Sequence, residues 1–553
     1  MNGAELVLEC LKKEGVDTLF GYPGGAVIPL YDALYDYKKD FLHIRTSHEQ
    51  GLVHAADGYS RSTGKTGVCI TTSGPGATNA ITGIATAYMD STPMVIITGQ
   101  VPTSMLGKDS FQEIDITGMT LSVTKHSYLL RDTKEIVPTI KEAFKIAQNG
   151  RKGPVLIDIP KNLFIEEIDF EPFQDPKEEI EEEFVGKIKE TNVDELVELI
   201  RNSKRPVIYA GGGIKTQDSI DELVEFAKKM DIPVLNTLMG LGSIDRNEEL
   251  SLGLMGMHGF REANFAISKA DLVIAIGTRF SDRGTGVCSA FASNAKIIHI
   301  EIDKSELGKN ITPDLQVLGY SKEILKKLIE TMEPMDNGKW RDEINSYKNT
   351  DKLDENLFHP QNILRVANEV LEDKNGTIVT TDVGQHQMWT AQHWKFKQGR
   401  NFVTSGGLGT MGFGLGAAIG SAVGNPNKRV VLVTGDGSFR MNLNELATVR
   451  DYNLPIVILL FNNHSLGMVR QWQKLFSNER YSETDISFNI DYLKLCESFS
   501  IESHEVENLN ELQRILKEAD TNEPLFVQCN IDKDFDVYPI VPPNEVLENL
   551  IIG

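Results

Sequence analysis

At 553 residues the chain is too long for one ordinary hydrophobic core, and about three domains of ~150–200 residues each are expected. Asp and Glu number 79 against 56 Lys and Arg, a net charge of -23, and no basic strip interrupts the excess, which argues against a nucleic-acid partner. The apolar run at 454–461 is too short to span a bilayer, and the opening Met1-Asn2-Gly3-Ala4-Glu5-Leu6 lacks the basic and apolar regions of a signal peptide, so a cytoplasmic protein with no membrane partner is expected.

From Met1 to about Ile165, short apolar runs at 18–20, 67–70, 93–97 and 154–159 alternate with helical patterns. This is the rhythm of an α/β domain with a mostly parallel sheet. Residues 169–183, with Pro172, Pro176 and a run of carboxylates, read as a solvated linker. A second α/β unit has strand candidates at 206–209, 232–235, 271–276 and 296–300 and fades near Leu328; Met335-Asp336-Asn337-Gly338 and the polar residues up to Asn356 read as another connector. The expected fold class is α/β, three consecutive domains with mostly parallel sheets over 1–168, 188–332 and 358–553. Cys10, Cys69, Cys288, Cys496 and Cys529 show no CxxC or ligand spacing and are expected to be reduced core residues.

The third unit carries the strongest chemical signal. An apolar run at 429–433 leads into Gly435-Asp436-Gly437-Ser438-Phe439, then an amphipathic segment through Met441 to Glu445-Leu446-Ala447, then the run at 454–461 closed by Asn462-Asn463. The pattern is strand, glycine turn, helix, strand, polar turn. Parallel neighbours present their carboxyl ends on one edge of a sheet, so Asp436 and Asn463 should lie side by side. Two oxygen donors facing one point suit a hard divalent cation such as Mg²⁺, which completes its shell with water and phosphate oxygens. Gly435, Gly437 and the N–H groups opening the next helix favour an anion, so the expected ligand is a diphosphate clamped through a metal. A ligand-free strand-helix-strand unit would share these features.

Other segments are ambiguous on their own. Glu49, in His48-Glu49-Gln50-Gly51, fits an acidic residue in a first helical turn. Gly21-Tyr22-Pro23-Gly24-Gly25 and Thr72-Ser73-Gly74-Pro75-Gly76-Ala77 fit tight strand-to-helix turns. Met411, in a glycine-rich run, fits core filler, and Lys161 a lysine at a strand end.

Taken together, these motifs resemble the thiamine diphosphate (ThDP) enzymes. Asn462-Asn463 follows Gly437 after 24 intervening residues, as in the ThDP signature. Gly21-Tyr22-Pro23-Gly24-Gly25-Ala26, His54-Ala55-Ala56-Asp57-Gly58-Tyr59, Ala87-Tyr88-Met89-Asp90-Ser91, Thr381-Asp382-Val383-Gly384-Gln385-His386, Ser405-Gly406-Gly407-Leu408-Gly409-Thr410-Met411-Gly412 and Gly467-Met468-Val469-Arg470-Gln471-Trp472 narrow the resemblance to the acetolactate synthase catalytic subunits.

That resemblance implies pyrimidine-binding, central Rossmann-like and diphosphate-binding domains in chain order. It implies that Asp436, Asn463 and Ser465 hold the metal, that Gln385, His386, Gly437, Ser438 and Met468 contact the cofactor, and that Gly409 and Met411 keep ThDP bent. Glu49 would bond N1′ of the aminopyrimidine, with a raised pKa if buried. The loop of Gly25 would stabilise charge on a substrate oxygen. Phe111, Gln112, Lys161, Met468 and Trp472 would line the substrate entrance and acceptor pocket.

Arg151, Met257, His258, Gly277, Arg279, Asp282 and Arg283 resemble flavin contacts, so FAD is implied as a structural or vestigial group. The pattern departs at Ser281, Gly284 and Tyr320, which carries FAD less far than ThDP. The implied reaction decarboxylates pyruvate and condenses the product with a second 2-keto acid, pyruvate or 2-ketobutyrate, for branched-chain amino acid synthesis. The implied assembly is a homodimer or homotetramer with active sites between subunits and a separate small regulatory subunit. A pyruvate oxidase or glyoxylate carboligase of the same architecture is the nearest alternative; a nucleotide-binding regulatory or scaffold protein is the alternative from another class.

Overall fold

A computed structural model describes residues 1–169, 173, 190–348, 353–372, 376–486, 488 and 490–553. The expected linker at 169–183 falls almost entirely outside the described residues. Among them, three parallel sheets of six strands follow one another along the chain.

The first sheet contains β1 (Thr18–Gly21), β2 (Leu42–Arg45), β3 (Gly67–Thr71), β4 (Met94–Gln100), β5 (His126–Leu129) and β6 (Pro154–Pro160), in the spatial order β2-β1-β3-β4-β6-β5. The second contains β7 (Pro206–Ala210), β8 (Val234–Asn236), β9 (Ser251–Leu254), β10 (Leu272–Ile276), β11 (Lys296–Glu301) and β12 (Leu315–Leu318), ordered β12-β11-β10-β7-β8-β9. The third contains β13 (Ile378–Thr381), β14 (Phe402–Val403), β15 (Val430–Gly435), β16 (Ile456–Asn462), β17 (Glu502–Val506) and β18 (Leu525–Asn530), ordered β14-β13-β15-β16-β18-β17. Counted from its own first strand, the third sheet has the same order as the first. The middle sheet has a different one, with the switch between β7 and β10 that leaves a crevice at the strand tips.

The β-branched runs predicted from sequence are the central, fully buried strands: β4, β6, β7, β10 and β16 are buried at every residue. Helices must cover both faces of such strands, and one pair of helices serves two sheets at once. The helix Glu49–Thr63 packs against the Gly- and Ala-rich helix Phe413–Gly424. Leu52, Ala55 and Tyr59 from the first join Leu415, Ala417 and Ile419 from the second in a single apolar cluster. An added Cβ at Gly420 would stand 1.7 Å from the carbonyl oxygen of Ala55, so this approach admits no side chain there.

Three expectations need correcting. The segment after Asp436 is not one helix: it forms a single α-helical turn at Asp436–Phe439, a 3-10 turn at Leu443–Glu445 and a helix at Leu446–Asp451. Asn442 breaks it by donating its side-chain N–H to the carbonyl of Gly412 at 3.1 Å. The connector after Met335 holds the helix Gly338–Asn345, docked by Trp340, whose indole N–H donates to Pro206 O at 3.1 Å. Cys288 is exposed, unlike the four other cysteines, because it lies in the short turn Cys288–Ala290 outside any apolar run. No helix among the described residues is long and apolar enough to cross a membrane.

Candidate active site

The tips of β15 and β16 form the floor of the cleft that gathers most of the third-domain residues. Gly435 pairs with Phe461 in register, so the chain leaves the sheet at Asp436 on one strand and at Asn463 on its neighbour. Both line a cleft of about 490 Å³ with Gln385, His386, Met411, Gly437, Ser438, Ser465 and Met468. Asp436 is buried, and its Oδ2 has no hydrogen-bond partner. Burial pushes its carboxyl up to about 7, opposed by the N–H of Gly437, the charge of Arg440 and the N–H of His464, next to Asn463. A divalent cation at Oδ2 would relieve that desolvation and restore the carboxylate.

The neighbouring groups are oriented. Asn463 Oδ1 accepts the N–H of Ser465 at 3.1 Å, and the Ser465 hydroxyl donates to Thr484 O at 3.0 Å. Gln385 donates to Gln471 Oε1 at 3.1 Å and to Phe535 O at 3.0 Å. Ser438 donates its hydroxyl to Val383 O at 2.9 Å. His386 is buried with Nε2 unpartnered, and burial lowers its pKa to about 3, so it stands as a neutral imidazole. An unpartnered carboxylate oxygen, an unpartnered imidazole nitrogen and an amide oxygen on one cleft form a donor set that fits a metal-bound diphosphate.

The first-domain candidates meet elsewhere, around the loop that follows β3. Thr72 accepts the N–H of Ala26 at 3.2 Å, which brings in the loop of Gly25. Asn79 donates to Glu49 Oε2 at 3.0 Å, and Gln112 abuts Gly74 with φ +62. Glu49 is half-buried in the single chain, so the burial condition attached to it is not met there. Lys161 opens the short helix after β6, and Phe111 is 89% exposed. None of these residues lines the cleft of Asp436. Gly409, with φ +72, is also exposed, although Met411, two residues on, reaches the cleft.

In the central domain Met257 and Arg283 touch: the N–H of Met257 donates to Arg283 O at 2.8 Å. The Arg283 guanidinium lies 5.4 Å from the ring centroid of Trp472, so this residue, expected at a flavin, meets the tryptophan expected at the acceptor pocket. His258 is buried with Nδ1 unpartnered. Gly277 has φ +58, and its carbonyl accepts the N–H of Gly213 at 3.0 Å. Asn310 donates to Arg279 O at 3.0 Å, and the exposed Asp282 opens the short helix Asp282–Thr285. The Arg151 guanidinium is held by Glu306 at 2.8 Å, Asp303 at 3.4 Å and Ser91 at 2.9 Å, joining the first domain to the second.

Sequence reasoning missed the groups that hold this arrangement together. Glu445, read as part of a helix face, is fully buried and binds the turn before Glu49. Thr86 and Thr410 share a hydroxyl hydrogen bond at 2.7 Å that ties the Met411 loop to the first domain. Asp382 is buried, accepting from Gly414 N at 2.8 Å and Thr434 Oγ1 at 2.7 Å. One signal was available in Gly51, whose lack of a side chain answers to Glu445.

Comparison with known proteins assigns the family. Three thiamine pyrophosphate enzyme profiles match in chain order: the N-terminal TPP binding domain over residues 1–119, the central domain over 193–328 and the C-terminal TPP binding domain over 382–529. The probable acetolactate synthase large subunit of Methanocaldococcus jannaschii is 45% identical, covering 100% of this chain and 95% of its own. That of Methanococcus aeolicus is 44% identical with the same coverage. The acetolactate synthase isozyme 2 large subunit of Escherichia coli is 42% identical over 100% of both chains. The chain therefore belongs to the thiamine pyrophosphate enzymes and, among them, to the acetolactate synthase large subunits.

Proposed function

We propose that this chain is a ThDP- and Mg²⁺-dependent carboligase that releases CO₂ from pyruvate and joins the remaining two-carbon unit to a second 2-keto acid. The products are 2-acetolactate, from a second pyruvate, or 2-aceto-2-hydroxybutyrate, from 2-ketobutyrate. The observation that carries the reading is the cleft where Asp436 and Asn463 converge from adjacent strand tips with Asp436 Oδ2 unpartnered. ThDP, when bound, supplies an electron sink for the charge left by decarboxylation.

The protein contributes placement, charge and a dry site. Asp436, Asn463 and Ser465 would hold the cation, with Gln385, His386, Gly437 and Ser438 around the diphosphate. Met411 and Met468 present apolar surface on the same cleft, where the ring system would rest, with Gly409 beside it. Glu49 would share a proton with N1′, and Gly25 would offer its N–H to a substrate oxygen. Phe111, Gln112, Lys161 and Trp472 would shape the approach of the second keto acid, with the Arg283 cation above Trp472 available to its carboxylate.

Because the Glu49 and Asp436 groups lie apart in one chain, complete sites would form between two subunits, as a homodimer or homotetramer. The exposure of Phe111, Gly409 and Gly25 supports this. FAD would be held structurally by Met257, His258, Gly277, Arg279 and Asp282; the buried, unpartnered His258 Nδ1 favours it, and the prior engagement of Arg151 disfavours that one contact. A cytoplasmic setting and a separate small regulatory subunit complete the reading.

Incubating the purified chain with pyruvate, ThDP and Mg²⁺ should release CO₂ and yield acetolactate. Acetyl phosphate, or acetate with peroxide, would identify an oxidase instead. A visible spectrum without a flavin band would remove FAD.

A further inference from the structure

We propose that Glu445 is a positioning residue: from the third domain it fixes the Ser47-His48-Glu49 turn of its own chain, and so the proton-sharing carboxylate. The inference rests on the ThDP reading for Glu49 and deepens it.

Glu445 is fully buried. Its Oε1 accepts the N–H of His48 at 3.0 Å, and its Oε2 accepts the N–H of Ser47 at 3.0 Å and the Thr448 hydroxyl at 2.6 Å. These donors immediately precede the helix Glu49–Thr63, whose first-turn N–H groups have no partners within the helix. His48 caps the next position, its Nδ1 accepting from Gln50 N at 3.1 Å. The N–H groups of Ser47, His48 and Gln50 are thereby fixed, and Glu49 sits between the last two. An ideal Cβ at Gly51 would stand 2.3 Å from Glu445 Oε1, so the carboxylate occupies space that only a glycine leaves free.

The same stretch grips the preceding strand. Tyr452 OH accepts the N–H of Arg45 at 2.7 Å, and Asp451 pairs with Arg45 at 3.2 Å. On its other side, Asn442 bonds the carbonyl of Gly412, next to Met411. The segment 442–452 therefore connects the Met411 loop to the Glu49 turn within one chain. With sites built between subunits, these two groups would serve different sites.

A carboxylate is required because two oxygens face N–H donors. A glutamine would turn its amide N–H₂ toward one of them, creating donor against donor at unchanged size.

Glu445→Gln should therefore speed amide hydrogen exchange across residues 46–51 and slow exchange of the ThDP C2 hydrogen and turnover by roughly 10- to 100-fold, the scale of a small misplacement. ThDP and Mg²⁺ affinity should stay within about twofold, because the Asp436 cleft is untouched. Gly51→Ala should produce the same pattern, and the double variant should fall well short of the product of the two effects. Unchanged amide exchange at 46–51 would overturn the proposal. So would a loss of ThDP affinity parallel to the loss of turnover, which marks general damage to the fold. Absence of CO₂ release already in the unsubstituted chain would sink the carboligase reading alone and leave amide exchange to decide the positioning claim.

Discussion

The first and third sheets share one strand order yet carry different chemistry on their tips. In the third, the central strands β15 and β16 are followed directly by Asp436 and Asn463, a carboxylate and an amide. In the first, the corresponding β3 and β4 are followed directly by Thr72 and Val101, a hydroxyl and an alkyl group. Only one edge can therefore hold a hard cation. The first domain's acid, Glu49, comes from the start of the helix after its second strand. The corresponding helix of the third domain, Phe413–Gly424, is preceded by Met411. These two helices pack on each other, so the joint between the sheets also sets where an acid and a methionine stand.

The largest test of this contrast removes the carboxylate proposed to bind the cation. Asp436→Ala should abolish Mg²⁺-dependent ThDP binding; calorimetry that finds unchanged affinity would refute the metal assignment. Glu49→Gln should spare binding and lower turnover by orders of magnitude, about 10² or more. Near-normal C2 hydrogen exchange in that variant would take the proton role from Glu49 and blur the distinction between the two edges.

Gly420→Ala probes the joint. With its Cβ 1.7 Å from Ala55 O, the helices must part, at a cost of about 1–3 kcal/mol. A melting scan should fall by a few degrees, and an unshifted scan would mean the joint is looser than its packing. Trp472→Leu should have the smallest effect, shifting the ratio of acetolactate to acetohydroxybutyrate by roughly tenfold or less while leaving ThDP affinity intact. An unaltered ratio would separate Trp472 and Arg283 from acceptor choice.

Legibility followed burial. Strands such as β10 (Leu272–Ile276) and β16 (Ile456–Asn462) are covered on both faces, so every position is apolar and the run declares itself. β5 (His126–Leu129) and β17 (Glu502–Val506) lie at sheet edges, half open to solvent, and show no such run. β13 (Ile378–Thr381) is buried but escaped notice because two of its four residues are threonine.

The sequence by itself determined the alternation of elements and the convergence of Asp436 with Asn463, since parallel neighbours deliver their carboxyl ends to the same edge whatever surrounds them. Tertiary packing decided what no local pattern encodes: that the helix after Asp436 breaks at Asn442, that Glu445 turns to the first domain, and that Arg151 spends its charge on Glu306 and Asp303. Such partners lie tens to hundreds of residues away. A buried polar group must find a partner in space, and its neighbours along the chain do not reveal which one.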